Sequence, residues 1–433
     1  MKSRNGRRLF IVVTIALILT VLTPFSSFSS EGEGLRVQKT IVYGDGTHAE
    51  RFDDSAYLSD GSIVAVGTVS SLDDTDGKAI LVKYNGSGKM LWNKTVAGVR
   101  YISAVTGVGD GGFVAVGSSF GIANPGLVIR YDGSGNELWR VEAKRIYDET
   151  SYSPVGFHDV ISTTDGGVVA VGGAGAETAI LKYSSSGVLQ WSVFGIPGET
   201  AGSHFSSVAV GQDGTIFTVG QVSVPTYVYN SVVVKYSHDG SLLWSSVFSE
   251  ARYNTGSDVA ATSDGGAVAV YRYPGKTGVV AKYSESGSLT KSLPISEVSA
   301  VTAVSDGFLM IGAGAIRGSE MKIVKYNNSG GQEWISTYRS HGTLYDEFQS
   351  VYNTPIGIIM TGETISSNEI PSSYHDSRYN ALIVILSDGT EDAEGTGSGN
   401  TTMIIIVVAA LIVICASGAI IFFKKGASKK LNN

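Results

Sequence analysis

One ten-residue phrase, written six times, constrains this chain more than any other feature. KYNGSGKMLW (83–92), RYDGSGNELW (130–139), KYSSSGVLQW (182–191), KYSHDGSLLW (235–244), KYSESGSLTK (282–291) and KYNNSGGQEW (325–334) follow in order, and a seventh copy begins as VILSDG (384–389) and stops. The motif tyrosines Tyr84, Tyr131, Tyr183, Tyr236, Tyr283 and Tyr326 stand 47, 52, 53, 47 and 43 residues apart. A period near fifty marks a solenoid, propeller or array, in which a unit buries its apolar surface only against its neighbours. A second phrase precedes each copy: SIVAVG (62–67), FVAVG (113–117), VVAVG (168–172), TIFTVG (215–220), AVAV (267–270), FLMIG (308–312) and IIMTG (358–362).

Each unit reads as four short strands. In the third, FHDVISTT, VVAVGGA, TAILKY and LQWSVFG are β-branched or aromatic, and the stretches between them are Gly, Asp and Ser turns. With 55 Gly, 9 Pro and 43% hydrophobic residues, the chain suits many tight turns between strands. The last unit lacks a fourth strand, whereas GLRVQKTIVYG (34–44) reads as a fourth strand without a unit, since its KTIVYG matches NKTVAG (93–98). Pairing the two would close a ring and remove its open edges. The expectation is an all-β fold, a seven-bladed β-propeller over residues 31–390 closed by an N-terminal strand, plus one C-terminal transmembrane helix.

The pattern DGGxVAVG…KYxxxGxxLW, running from about residue 35 to 390, resembles the β-propeller repeats of prokaryotic secreted and surface proteins, which are quinoprotein-like in look. That resemblance implies a propeller acting as a binding or surface module. Quinoprotein dehydrogenases usually have eight blades and an adjacent cysteine pair over the cofactor; this chain reads as seven units with Cys415 alone, so no cofactor is expected.

The ends carry different signals. Lys2, Arg4, Arg7 and Arg8 precede the apolar run 9–22, so residues 1–30 read as a signal peptide or an uncleaved anchor. MIIIVVAALIVICASGAIIFF (403–423) has 21 residues and no charge, enough to span about 30 Å as a helix. KKGASKK follows it, which places the tail 424–433 in the cytoplasm and the body outside. Residues 391–402 read as a flexible linker. A net charge of −7 with no basic stripe gives nucleic acid no foothold. The expected partners are the membrane, through the C-terminal helix, and an unknown extracellular protein or glycan.

Two places could hold a ligand. The Asp-Gly and Ser-Gly turns share one face, which is nearly all Gly, Ser, Asp and Asn. The opposite face carries long connections rich in Tyr, Arg and His, among them Tyr147, Tyr152, Arg252, Tyr253, Arg339 and Tyr345. Such loops on a rigid scaffold are common binding surfaces. First strands line a propeller's channel, and aligning them puts Asp54, Asp159 and Asp258 at one position, with Ser207 and Ser350 in two other units. They read either as a ring for a cation or sugar hydroxyls, or as aspartates each bonded to a local turn. A paired-carboxylate enzyme acting on an extracellular polymer is the alternative. No catalytic residue and no metal ligand set stands out: SLDDTDGK (71–78) lacks the calcium-loop ligand pattern, and the histidines lack HExxH spacing. The five tryptophans, Trp92, Trp139, Trp191, Trp244 and Trp334, read as packing between blades, with Lys291 in the same place in unit five. The motif Lys or Arg reads as a cation reaching past a strand end to solvent.

Overall fold

A computed structural model describes residues 35–44, 49–70, 77–120, 125–148, 151–198, 202–224, 228–248, 254–273, 277–296, 298–312, 321–338, 345–365 and 380–387. The chain divides into two compact units, Met1–Leu386 and Ser387–Asn433. Among the described residues there are 28 strands and no helix long and apolar enough to cross a membrane. The expected signal, linker, span and tail lie outside them.

The chain starts with β1 (Arg36–Tyr43) and then folds in sets of four antiparallel strands. The first set is β2 (Ala49–Tyr57), β3 (Ile63–Ser70), β4 (Lys78–Tyr84) and β5 (Met90–Thr95). Next come β6 (Val99–Gly107), β7 (Phe113–Ser119), β8 (Gly126–Tyr131) and β9 (Glu137–Ile146), then β10 (Tyr152–Ser162), β11 (Val168–Ala174), β12 (Glu177–Tyr183) and β13 (Leu189–Phe194). They are followed by β14 (His204–Val210), β15 (Ile216–Val224), β16 (Val228–Tyr236) and β17 (Leu242–Phe248), and by β18 (Thr255–Ala261), β19 (Ala267–Arg272), β20 (Thr277–Tyr283) and β21 (Leu289–Ser296). The last are β22 (Val298–Val304), β23 (Gly307–Gly312), β24 (Met321–Asn327) and β25 (Gln332–Tyr338), and β26 (Tyr345–Thr354), β27 (Gly357–Ile365) and β28 (Asn380–Ser387). The sheet order β1-β28-β27-β26 puts the lone N-terminal strand on the unit that lacks one, and β9 pairs with β10 to join two sets into one eight-stranded sheet.

The apolar core is a series of clusters between neighbouring sheets. One joins Val64, Val66 and Leu81 to Ile102, Phe113 and Leu127. Another joins the last sheet to the first, with Ile359, Ile383 and Ile385 against Ile63, Ala65 and Val82, and Ile41 of β1 among them. Each sheet thus buries both faces against neighbours, which explains second and third strands apolar at consecutive positions rather than alternate ones. The fold is a β-propeller.

Both repeated phrases have structural causes. In every first strand the pairing slips by one residue at the same place: Phe52/Asp54, Ile102/Ala104, Phe157/Asp159, Phe205/Ser207, Gly256/Asp258, Val298/Ala300 and Phe348/Ser350. Such a bulge presses the strand's carbonyl onto its partner. A Cβ on Gly172 would stand 1.8 Å from the Gly156 carbonyl oxygen, hence the glycine that ends VVAVG. Unit five inverts the pairing, with Gly256 on the first strand and Tyr271 opposite. Tyr271 then fills the space, stacking on Phe248 at 4.5 Å and sharing a 2.8 Å hydrogen bond with the Tyr283 hydroxyl.

The sequence suggested that the motif cations reach solvent, and they do not. Lys83, Arg130, Lys182, Lys235, Lys282 and Lys325 are all buried. Lys83 pairs with Asp60 at 2.8 Å, Arg130 with Asp110 at 2.5 Å, Lys182 with Asp165 at 2.6 Å and Lys325 with Asp306 at 2.8 Å; Lys282 pairs with Asp264. Each partner is the aspartate of its own unit's Asp-Gly turn, so the cation of one phrase and the acid of the other are two halves of one contact. A buried charge needs such a partner or another polar group, as at Lys235, which instead donates to the Gly265 carbonyl at 3.0 Å. The last unit has neither half: Ile385 stands at the cation's position in the ladder, and its turn is Thr354-Pro355-Ile356-Gly357.

The tryptophans are half-buried covers rather than enclosed plugs. Trp92 lies over Gly135, Trp139 over Gly187, Trp191 over Gly240 and Trp244 over Gly287, each the turn glycine of the next unit. Lys291 covers Gly330 with its aliphatic stem, and Lys39 and Ile41 of β1 cover Gly88.

Candidate ligand site: the channel and its loop-side rim

The first strands enclose a cavity of about 630 Å³, lined by one segment from each of β2, β6, β10, β14, β18, β22 and β26. Asp54, Asp159 and Asp258 are in its wall, at equivalent positions just after the bulge, as aligned in the sequence. Ala104, Ser207, Ala300 and Ser350 hold that position elsewhere. Each aspartate makes the same two contacts. One oxygen accepts from the next residue's N–H: Ser55 at 2.8 Å, Val160 at 2.7 Å and Val259 at 2.9 Å. The other accepts from a backbone N–H of the following unit: Val105 at 2.8 Å, Val208 at 2.8 Å and Val301 at 2.7 Å. Tyr352 adds a 2.9 Å bond to Asp54, and Ser207 a 2.8 Å bond to Asp258. The local bond accounts for half of this geometry; the other half ties one sheet to the next.

Burial raises all three carboxyls. Asp54 goes to about 8, with the Asp159 charge adding to the effect; Asp258 goes to about 7 and Asp159 to about 6. Neutral pH thus falls among their titrations. Among the described residues no group of three or more His, Cys, Asp or Glu is placed to hold a metal ion.

At the loop-side end, the bulged residues Asp53, Ser103, His158, Ser206, Ser257 and Gln349 line the channel. Asp53 pairs with Arg51 at 2.7 Å, and burial moves its carboxyl to about 6. Glu363 is moved by burial to about 7. Arg272 donates to the carbonyls of Val298 at 3.2 Å and Ser299 at 3.0 Å. His158 is the bulged residue of β10 and meets His204 of β14, with ring centroids 4.9 Å apart. Burial lowers both imidazoles, His158 to about 4.

On the loop face, β9 and β10 extend into a hairpin with Tyr152 opposite Ile146, Ser153 opposite Arg145 and Pro154 opposite Lys144. Ile146 is 74% exposed, Tyr152 52% and Tyr147 49%. Lys144 sits 5.1 Å from the Tyr152 ring. Arg145 lies between the rings of Tyr147 and Phe194, at 4.8 and 5.0 Å, and pairs with Glu177. These contacts fix the rotamers of an exposed aromatic and cationic surface, which lowers the ordering cost of binding. Tyr345 opens β26; Arg252, Tyr253 and Arg339 lie outside the described residues. The structure therefore forms two groups, the channel aspartates and the Tyr147–Tyr152 hairpin. It adds Asp53, Arg145, His158, His204 and Glu363, which the sequence reading passed over. His158 was open to detection, because it precedes Asp159 as Asp53 precedes Asp54.

The repeat family described as outer membrane protein assembly factor BamB matches residues 65–321, more than half of the chain. No curated protein is significantly similar in sequence. Similar solved structures include the RRP9 WD40 repeats (10% identity, 82% of this chain and 100% of that one, TM-score 0.54) and U3-55K (10% identity, 81% and 100%, TM-score 0.53). The Pan2 WD40 domain of Neurospora crassa is also similar (10% identity, 84% and 98%, TM-score 0.51). At such identities the likeness is one of fold.

Proposed function

Because the chain belongs to the repeat family described as outer membrane protein assembly factor BamB, we propose that it is a seven-bladed propeller held at a membrane, serving as a docking module for a protein or glycan outside the cytoplasm. The observation that carries this reading is the difference between the two faces. The turn face is made of Gly, Ser, Asp and Asn, and five of its aspartates, Asp60, Asp110, Asp165, Asp264 and Asp306, are committed to the buried cations. The loop face carries the ordered hairpin with Tyr147, Tyr152 and Ile146 exposed.

Chain direction supports an orientation. Gly44, at the end of β1, lies against Asn380, at the start of β28. The start of β1 and the end of β28 are therefore together, on the turn face. A signal or anchor before residue 31 and a span at 403–423 would both attach there, turning the loop face away from the bilayer. The 391–402 linker has 12 residues, a flexible reach of roughly 20 Å. The alternative, an enzyme acting on a polymer, needs a carboxylate free to reach substrate, whereas Asp54, Asp159 and Asp258 each have both oxygens on backbone donors and Asp53 is paired with Arg51.

Single cysteines in a Cys415→Ser background, labelled in intact cells with a bulky impermeant maleimide, test the orientation. Tyr152→Cys should react faster than Gly133→Cys and Ser185→Cys. Equal or reversed rates would reject it.

A further inference from the structure

Among the described residues, His158 and His204 are the one pair of imidazoles that two units bring together, His158 in the channel wall and His204 beside it. They come from different sheets: His158 is the bulged residue of β10, and His204 opens β14. Their ring centroids are 4.9 Å apart and their planes are tilted by 60°. His158 lines the cavity and is exposed to it; His204 is half-buried, its Cβ held beside Gly173.

Neither imidazole has a hydrogen-bond partner among the described residues, whereas equivalent side chains of other units do. Arg51 stands where His204 stands, one residue before the bulge pair, and in the first unit it is paired with the bulged Asp53. Ser103, another bulged residue, donates to the Phe157 carbonyl at 3.0 Å. Two adjacent imidazoles with no protein acceptor or donor among the described residues each keep an unused nitrogen lone pair, and one of the two, His158, lines the channel.

We propose that His158 and His204 together bind one divalent transition metal ion, of the imidazole-preferring class that includes Zn²⁺, Ni²⁺ and Cu²⁺, at the loop-side end of the channel. Imidazole favours these ions over Mg²⁺ and Ca²⁺, which take oxygen ligands. Two protein ligands leave the other coordination positions to water or to a donor group entering through the channel. Among the described residues no group of three or more His, Cys, Asp or Glu is placed to hold an ion, and Asp159 next to His158 has both oxygens on backbone donors, so this differs from a closed structural site with four protein ligands. The ion would also pin the third unit to the fourth at the channel, where Asp159 already reaches across to Val208.

The test uses the full-length protein in detergent, stripped of metal and titrated with Cu²⁺, Ni²⁺ and Mg²⁺. Wild type should take up one equivalent of Cu²⁺ or Ni²⁺ and ignore Mg²⁺ at the same concentration. His158→Ala and His204→Ala should each weaken that uptake at least tenfold, and His238→Ala, which changes a histidine away from the pair, should leave it unchanged. Electron paramagnetic resonance of the wild-type Cu²⁺ complex should show two coupled nitrogens, a readout that does not depend on any variant folding. Uptake unchanged in both channel variants, lost equally in His238→Ala, or a spectrum with one nitrogen or none would overturn the proposal.

Discussion

The pairing of Lys182 with Asp165 predicts an asymmetry that mutation can measure. The Lys182 side chain is 4% exposed and the Asp165 side chain 55% exposed. Removing the acid leaves an ammonium buried with only Thr163 to bond; removing the cation leaves a carboxylate already in water. Asp165→Ala should therefore cost about 2–3 kcal/mol, below the full cost of breaking an enclosed pair because half of this one is solvated. Lys182→Met keeps the stem's packing and should cost about 0.5–1 kcal/mol. The double variant should lie closer to Lys182→Met than to the sum, with a coupling energy of about 1–2 kcal/mol. Its unit would then resemble the last one, where Ile385 and an uncharged turn occupy the same positions. Urea unfolding of the four proteins, followed by tryptophan fluorescence, gives the cycle. Additivity within about 0.3–0.5 kcal/mol, or Lys182→Met as the costlier single change, would refute the argument.

Deleting residues 35–44 should lower the melting temperature and promote self-association, because β28 then presents an open edge; unchanged melting and a monomeric profile in size-exclusion chromatography would contradict this. Lys291→Trp should raise the urea midpoint by the equivalent of about 1 kcal/mol, since Lys291 covers Gly330 where other units use tryptophan half-exposed; a lower midpoint would count against it. Gly172→Ala places a Cβ on the Gly156 carbonyl and should cost more than about 3 kcal/mol or prevent folding, read by soluble yield and thermal melting. An acid with a raised folded value, such as Asp54 at about 8, contributes stability that is lost as pH rises through that value. His158 and His204, lowered in the folded state, act the opposite way below about pH 6.5. Between pH 6.5 and 8.5, therefore, the melting temperature should fall by roughly 2–4 °C, and Asp54→Asn should flatten that slope; an unchanged slope would contradict the assignment.

The repeat made the propeller legible because each unit solves the same packing problem with the same residues. The orphan strand 34–44 was readable from its likeness to 93–98. What the sequence concealed were contacts between phrases: a Lys in one and an Asp in another look like separate surface charges until the turn folds one over the other. The bulge was hidden for a similar reason. Its mark is a glycine some fifteen residues downstream, and in unit five that mark moves to Gly256 on the opposite strand. The candidate site was legible in part. Asp54, Asp159 and Asp258 were aligned correctly, but their second bond reaches a backbone N–H some fifty residues on, with no side-chain signature. Arg145 and Glu177 meet through the unusual pairing of β9 with β10, which no local pattern specifies.

The central claim, that the loop face is the working surface, is tested most directly by photocrosslinking. A photoreactive residue placed at Tyr147 or Tyr152 in the full-length protein, irradiated in intact cells, should give a discrete higher-mass adduct. The same residue at Gly133 or Ser185 on the turn face should give none. Adducts from the turn face and none from the hairpin would contradict the account.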